Sequence, residues 1–217
     1  MLQSYLDFLA ELEKNNNREW FDVNRARYKA LNEPFQIFVG ELIHQISLFD
    51  PQLKFLTPKD CTYRINRDIR FSNDKTPYKT YLSAAFGHLG KNGSTPAYYF
   101  ELKSNGQIMI GGGWYMLDSA QLYKLRQTIS EDAKPFLKIL KNPDFKATFG
   151  EMSGEKLKTT PKGFNPEDPQ IELLRYKNYL AGRSLNVSDL SDEQIADKII
   201  QTFKTLYPFV DYLRKNS

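Results

Sequence analysis

Three arginines fall within seven residues, Arg64, Arg67 and Arg70, and two lysines follow at Lys75 and Lys79. A guanidinium offers a planar fork of donors that fits a carboxylate or phosphate two bonds at a time, while an ammonium adds a compact charge. Only Asp68 and Asp74 oppose these five cations, so residues 64–79 hold a surplus of three positive charges out of a net +4 for the whole chain. Such crowding makes a local field rather than a global one. Asp68 is expected to take one arginine bidentately and Asp74 another, and the charge left over would suit an external anion, a phosphorylated or carboxylated small molecule. The anion-binding candidates are therefore Arg64, Arg67, Arg70, Lys75 and Lys79, with Trp114 and Phe71 as pocket walls. Acid–base chemistry beside them would fall to Asp68, Asp74 or Tyr78. The opposing expectation is an internal ion-pair lattice with no ligand, because such networks mimic sites.

A second basic stretch holds Lys156, Lys158 and Lys162, with Thr159, Thr160 and Gly163 among them. A glycine-containing segment of this kind can close over a phosphate, so Lys158 and Lys162 join the anion-binding set as a lid on the arginine face. Other chemistries find little support. Gly111-Gly112-Gly113 lacks the G-x-G-x-x-G spacing of a dinucleotide fingerprint, and suits a backbone bend or close approach that lets Trp114 pack. His44, His88 and Cys61 show no metal-ligand spacing. The flanking arginines make Asp68 and Asp74 a poor place for a hard cation. Cys61 reads as a small buried apolar group, no G-x-S-x-G elbow occurs, and neither metal nor cofactor is expected.

These side chains must be carried by elements, which the apolar periodicity outlines. Residues 1–50 read as helical. Tyr5, Phe8, Leu9 and Leu12 keep helical spacing, and a stripe runs through Phe21, Tyr28, Leu31, Phe35, Phe38, Leu42, Ile46 and Phe49. Asn16 with Glu19 resembles a capping box, and Pro34 is expected to kink the run or divide it near Asn32. From residue 61 the period drops to two. Tyr63, Ile65, Ile69 and Phe71 alternate with Arg64, Asn66, Asp68 and Arg70, the pattern of a strand with the polar set on one face. Tyr81–Gly87, Ala97–Lys103 and Gln107–Gly111 read as three more strands, and their short separators favour an antiparallel meander. The glycine triplet would end the sheet.

Asp118 with Gln121 caps a helix carrying Leu122, Leu125 and Ile129, and residues 135–149 form one or two short helices. Residues 150–170 make a long connection and Ile171–Leu180 a short helix. Ser191 with Gln194 opens a last helix whose core face is Ile195, Ile199, Phe203, Leu206, Val210 and Leu213. The expectation is one α+β domain over 1–217: helical 1–50, a sheet of about four antiparallel strands in the middle at 61–111, and helical 118–217.

Composition agrees with a folded chain. Of 217 residues, 41% are hydrophobic and 14% aromatic, which supplies a sizeable core and excludes a disordered or disulfide-scaffold protein. A single cysteine permits no internal disulfide and suits a reducing compartment. The first residues lack a basic n-region and are interrupted by Asp7, Glu11 and Glu13, and no apolar run approaches the roughly 18 residues that span a bilayer. A cytoplasmic protein that does not enter a membrane is expected.

The block Arg-x-x-Arg-Asp-x-Arg-Phe at 64–71, followed by Asp74-Lys75 and Tyr78, resembles the signature of a bacterial domain-of-unknown-function family, number 2461. The likeness extends to Asn16–Phe21, to the glycines before Trp114, and to Leu157-Lys158 with Pro161–Phe164, and so covers nearly the whole chain. It implies that Arg64, Arg67, Asp68, Arg70, Phe71, Lys75 and Tyr78 stand at motif positions, and it implies no activity. This chain departs from the family pattern in having Met116-Leu117 where a proline often follows the tryptophan. It also has Asp168 where a histidine commonly precedes the proline, so a catalytic role for that histidine would not carry over. Three functions remain open: an arginine-lined anion site, enzymatic or not; nucleic-acid binding through Tyr63, Phe71, Tyr78 and Tyr81, against which stand the low net charge and the lack of a known motif; and an interaction module whose arginines pair only internally.

Overall fold

A computed structural model describes residues 2–187 and 190–216. The N-terminal helices are α1 (Leu2–Lys14) and α2 (Arg18–Ser47), followed by a 3-10 turn at Pro51–Leu53 and a single helical turn, α3 (Pro58–Cys61). Strands β1 (Tyr81–Gly87), β2 (Ala97–Lys103) and β3 (Gln107–Trp114) come next. Helices α4 (Ser119–Glu131), α5 (Lys134–Leu140), α6 (Pro143–Phe149) and α7 (Ile171–Leu174) then precede β4 (Tyr179–Asn186) and the long α8 (Asp192–Lys215). The sheet order is β1-β2-β3-β4 with every neighbour antiparallel. This is the α+β class that the sequence indicates.

Two expectations about the sheet need correction. Residues 63–71 are not a strand. Only Thr62–Tyr63 runs beside β1, through the Thr62–Ala84 bridge and the Tyr63 N–H donating to Ser83 O at 3.1 Å. The chain then folds back on itself, with Asn66 bridging Tyr78, the Arg67 N–H donating to Pro77 O at 2.9 Å and the Lys79 N–H to Ile65 O at 2.8 Å. The fourth strand is instead β4, drawn from a stretch read as helical, so the sheet is not confined to 61–111. The glycine triplet also lies within β3 rather than after it. There a Cβ at Gly113 would meet Tyr179 O at 2.1 Å, a contact that only glycine avoids.

The helices follow their apolar stripes closely. Tyr5, Phe8, Leu9 and Leu12 of α1 are buried, as are all six predicted core residues of α8. Asn17, not Asn16, caps α2 by accepting from the Trp20 N–H. The helix runs unbroken for 30 residues with Pro34 inside it, the missing proline donor costing one i→i−4 bond without dividing the element. Alternate residues Tyr98, Phe100 and Leu102 of β2 point to the core that α2 and α8 cover. The other face of β2 carries Tyr99, Glu101 and Lys103.

A buried ion pair ties the layers together. Asp50, 1% exposed, accepts two bonds from Arg214 of α8 at 3.0 and 2.9 Å and one from the Tyr98 hydroxyl at 2.9 Å. Burial, then the Asp50 charge, pushes the Tyr98 hydroxyl well above the ordinary tyrosine range.

Candidate anion site at the sheet edge

The arginine segment is a loop on the β1 edge, and its base is clamped from the turn between α1 and α2. Asn16 there pairs with the main chain of Tyr78 as another strand would, its Nδ2 donating to Tyr78 O at 2.9 Å and its Oδ1 accepting from the Tyr78 N–H at 3.0 Å. The Tyr78 ring is buried and stacks on Phe21 with centroids 4.0 Å apart. Ile65 joins the same small apolar cluster with Phe8, Leu9 and Leu12. Tyr78 is therefore a packing residue. The Asn16–Phe21 block and the arginine block are two halves of one local structure.

Within the loop, two of the three arginines are satisfied internally. Arg67 pairs with Asp74, donates to the Thr76 hydroxyl and reaches Ser72 Oγ at 3.4 Å. Arg70 grips Asp68 bidentately, Nε to Oδ1 at 2.9 Å and Nη2 to Oδ2 at 2.6 Å. The Arg70 guanidinium and main-chain N–H hold the Asp68 carboxyl down at about 2. The Thr76 N–H, then Arg67 and the Thr76 hydroxyl, hold Asp74 at about 2. Both aspartates are thus structural acceptors, fully ionised at neutral pH and ill suited to carry a proton. Lys75 Nζ donates to Ile69 O at 3.0 Å, closing the loop.

The cations that remain are Arg64 and Lys79. Arg64 is exposed and makes no hydrogen bond or ion pair among the described residues. Lys79 is half-buried, its ammonium 4.9 Å from the Tyr63 ring centre and 5.8 Å from that of Tyr81, an attraction to the ring faces that replaces a carboxylate partner. Burial, then the neighbouring Arg64 charge, lowers the Lys79 pKa, and Glu101 opposes the change. The odd residues of β1 and β2 complete the surface, because Ser83 lies opposite Glu101, Ala85 opposite Tyr99 and Tyr81 opposite Lys103. Tyr99 donates to Glu101 Oε2 at 2.7 Å and packs edge-on to Tyr63 at 6.3 Å, while Lys103 Nζ stands 3.7 Å from Glu101 Oε1. Burial raises the Tyr63 and Tyr81 pKa values as well.

The other predicted site residues fall elsewhere. Trp114 is fully buried with its indole N–H donating to Ser94 O at 3.1 Å, and Phe71 is 95% exposed at the loop tip, so neither walls a pocket. The lysine loop is bound to the far side of the sheet. Leu157 N–H donates to Arg175 O at 2.8 Å, Ser153 pairs with Leu180 of β4, and Phe164 packs on Tyr123 of α4. That edge is three strand spacings, about 14 Å, from β1. Lys158 and Lys162 therefore do not close over the arginine segment. Two cavities, an apolar one around Tyr5, Phe35 and Ile195 and one of mixed lining between α2 and α8 beside Glu41, His44 and Asp197, also lie on the helical side. Tyr99 and Glu101 were not singled out from sequence; their alternation in Ala97–Lys103 with the core residues Tyr98 and Phe100 is the signal that they share an outer face.

An α+β protein with a cation-bearing loop folded on the edge of an antiparallel sheet is the class these features define. The chain belongs to the family described as conserved hypothetical protein (DUF2461), whose model matches residues 4–212. No curated protein and no solved structure matches it.

Proposed function

We propose that the chain binds a small anion, phosphorylated or carboxylated, between Arg64 and Lys79 on the outer face of β1 and β2. The observation that carries this is the residue of charge after internal pairing. Asp74 and Asp68 neutralise Arg67 and Arg70, Lys75 is spent on Ile69 O, and two neighbouring cations stand without a carboxylate on a surface lined by Tyr63 and Tyr81. A guanidinium in the open can turn its fork to an incoming oxyanion, and a half-buried ammonium beside it interacts through a lower dielectric than a surface lysine does. Nucleic-acid binding is less favoured, since Tyr78 is buried and Tyr63 and Tyr81 face Lys79.

Thermal denaturation with inorganic phosphate, citrate and a sugar phosphate tests the proposal. At ten times its dissociation constant a ligand adds about 1.4 kcal/mol, or roughly 3–6 °C for a chain of this size. The shift should vanish in Arg64→Ala and Lys79→Ala and persist in Arg70→Ala. A shift retained in both of the first two variants would refute the assignment, as would none with any anion.

A further inference from the structure

We infer that Lys79 is the amine of a carbonyl-condensing site, forming a Schiff base with an anionic aldehyde or 2-oxo acid whose charged group Arg64 holds. This rests on the anion site proposed above and adds a covalent step to it. A lysine that only binds charge gains from full hydration or from a carboxylate at contact distance. Lys79 has neither. Its ammonium is half-buried beside two tyrosine rings, whose faces attract the charged form, but no acid of the described residues lies within ion-pair reach, and burial with the Arg64 charge acts the other way. The carboxylate whose charge reaches it, Glu101, is already engaged by the Tyr99 hydroxyl and Lys103. The groups facing the amine are thus Arg64, Tyr63, Tyr81 and, at longer range, Glu101. Desolvation and an adjacent cation are the two means by which proteins keep a lysine amine neutral and nucleophilic near physiological pH.

The step balances without any oxidant or reductant. The Nζ lone pair attacks the carbonyl carbon, and the C=O π pair moves to oxygen. Nitrogen gives up a proton and oxygen takes one up through solvent, which yields a carbinolamine. Its hydroxyl then leaves as water as the C=N bond forms, so amine and carbonyl give imine and water. The Arg64 guanidinium, exposed to solvent, fixes the anionic end of the substrate and so brings its carbonyl end to the neighbouring amine.

Pyridoxal 5′-phosphate, an aldehyde with a phosphate, is the probe. The protein is incubated with it near neutral pH, reduced with borohydride to convert any imine to a stable secondary amine, digested, and mapped by mass spectrometry. A lysine whose pKa is lowered holds more of its amine neutral and reactive at a given pH, so labelling of Lys79 should exceed that of any other lysine. Inorganic phosphate should protect it, Arg64→Ala should lower labelling at Lys79 specifically, and Lys79→Arg should remove the label while keeping the melting temperature. Labelling spread evenly over the lysines overturns the inference. In that case a phosphate-induced thermal shift that Arg64→Ala abolishes leaves the anion site standing alone, whereas the loss of both removes the two together.

Discussion

At the scale of single residues, the charge surplus visible in the sequence survives folding but changes owners. Arg67 and Arg70 are spent on Asp74 and Asp68, and Arg64 and Lys79 carry what is left. Both aspartates titrate near 2, below the value of about 3.9 in an unfolded chain. A depressed folded-state pKa gives stability that is present above the unfolded value and lost as pH falls through the folded one. Loop order should therefore persist at pH 5 and be lost between about 4 and about 2. The Thr76 amide, which donates to Asp74 at 2.9 Å, should shift in an NMR titration with a midpoint near 2; a midpoint near 4 would show that the contact is not held in solution. Which arginine stays free was not legible beforehand. Arg67 and Asp74 are seven residues apart and meet only because the loop turns back. Cys61 is the opposite case: burial pushes its thiol up to about 12, the inert apolar group that its sequence context suggested.

At the scale of elements, legibility followed periodicity wherever one face alone met the core. The stripes of α1 and α8 and the alternation of β2 were readable for that reason, whereas β1, buried on both faces from Ser83 to Gly87, was marked by the turns that flank it. The stretch 63–71 alternates too, yet its pattern is honoured only at Ile65, buried at 3%, and fails at Phe71, which is fully in solvent. β4 was hidden because its inward positions read Tyr179, Ala181, Arg183 and Leu185. Arg183 faces α8, donating to Thr202 Oγ1 at 3.0 and 2.6 Å, and Gly182 weakens the strand signal further. The glycine triplet explains how β4 can lie so close. Gly113 has φ 125°, and a side chain there would strike Tyr179 O and Phe209. Gly113→Ala should cost at least about 2 kcal/mol from strain and overpacking together, seen as a melting temperature lower by roughly 4–8 °C. Gly150→Ala, at φ 70° with open space around it, should cost clearly less. Equal losses would mean that the close approach of β3 and β4 is not what requires glycine.

At the scale of the whole molecule, the sheet turns one face to the core under α2 and α8, and its β1 edge carries the arginine loop. The Asp50–Arg214–Tyr98 contacts join the turn after α2, the end of α8 and β2 across that core. Removing one partner of a buried pair strands the other charge, so Asp50→Ala should lower unfolding stability by about 3–5 kcal/mol in a denaturant titration. A loss under 1 kcal/mol would show the pair to be hydrated. No helix among the described residues is long and apolar enough to cross a membrane. The early Asn16–Phe21 block and the distant arginine block prove to be one device, since Asn16 holds the main chain of Tyr78 and Phe21 its ring. Sequence could offer both blocks but not their meeting, because 62 residues separate the partners.

The central claim is that Arg64 and Lys79 hold an anion together. A crystal soaked in sulfate tests it most directly. Sulfate is expected with oxygens about 3 Å from both the Arg64 guanidinium and Lys79 Nζ, over the rings of Tyr63 and Tyr81. The contradicting result is those two side chains turned onto protein carboxylates, Arg64 onto Asp68 and Lys79 onto Glu101, with sulfate bound elsewhere or not at all.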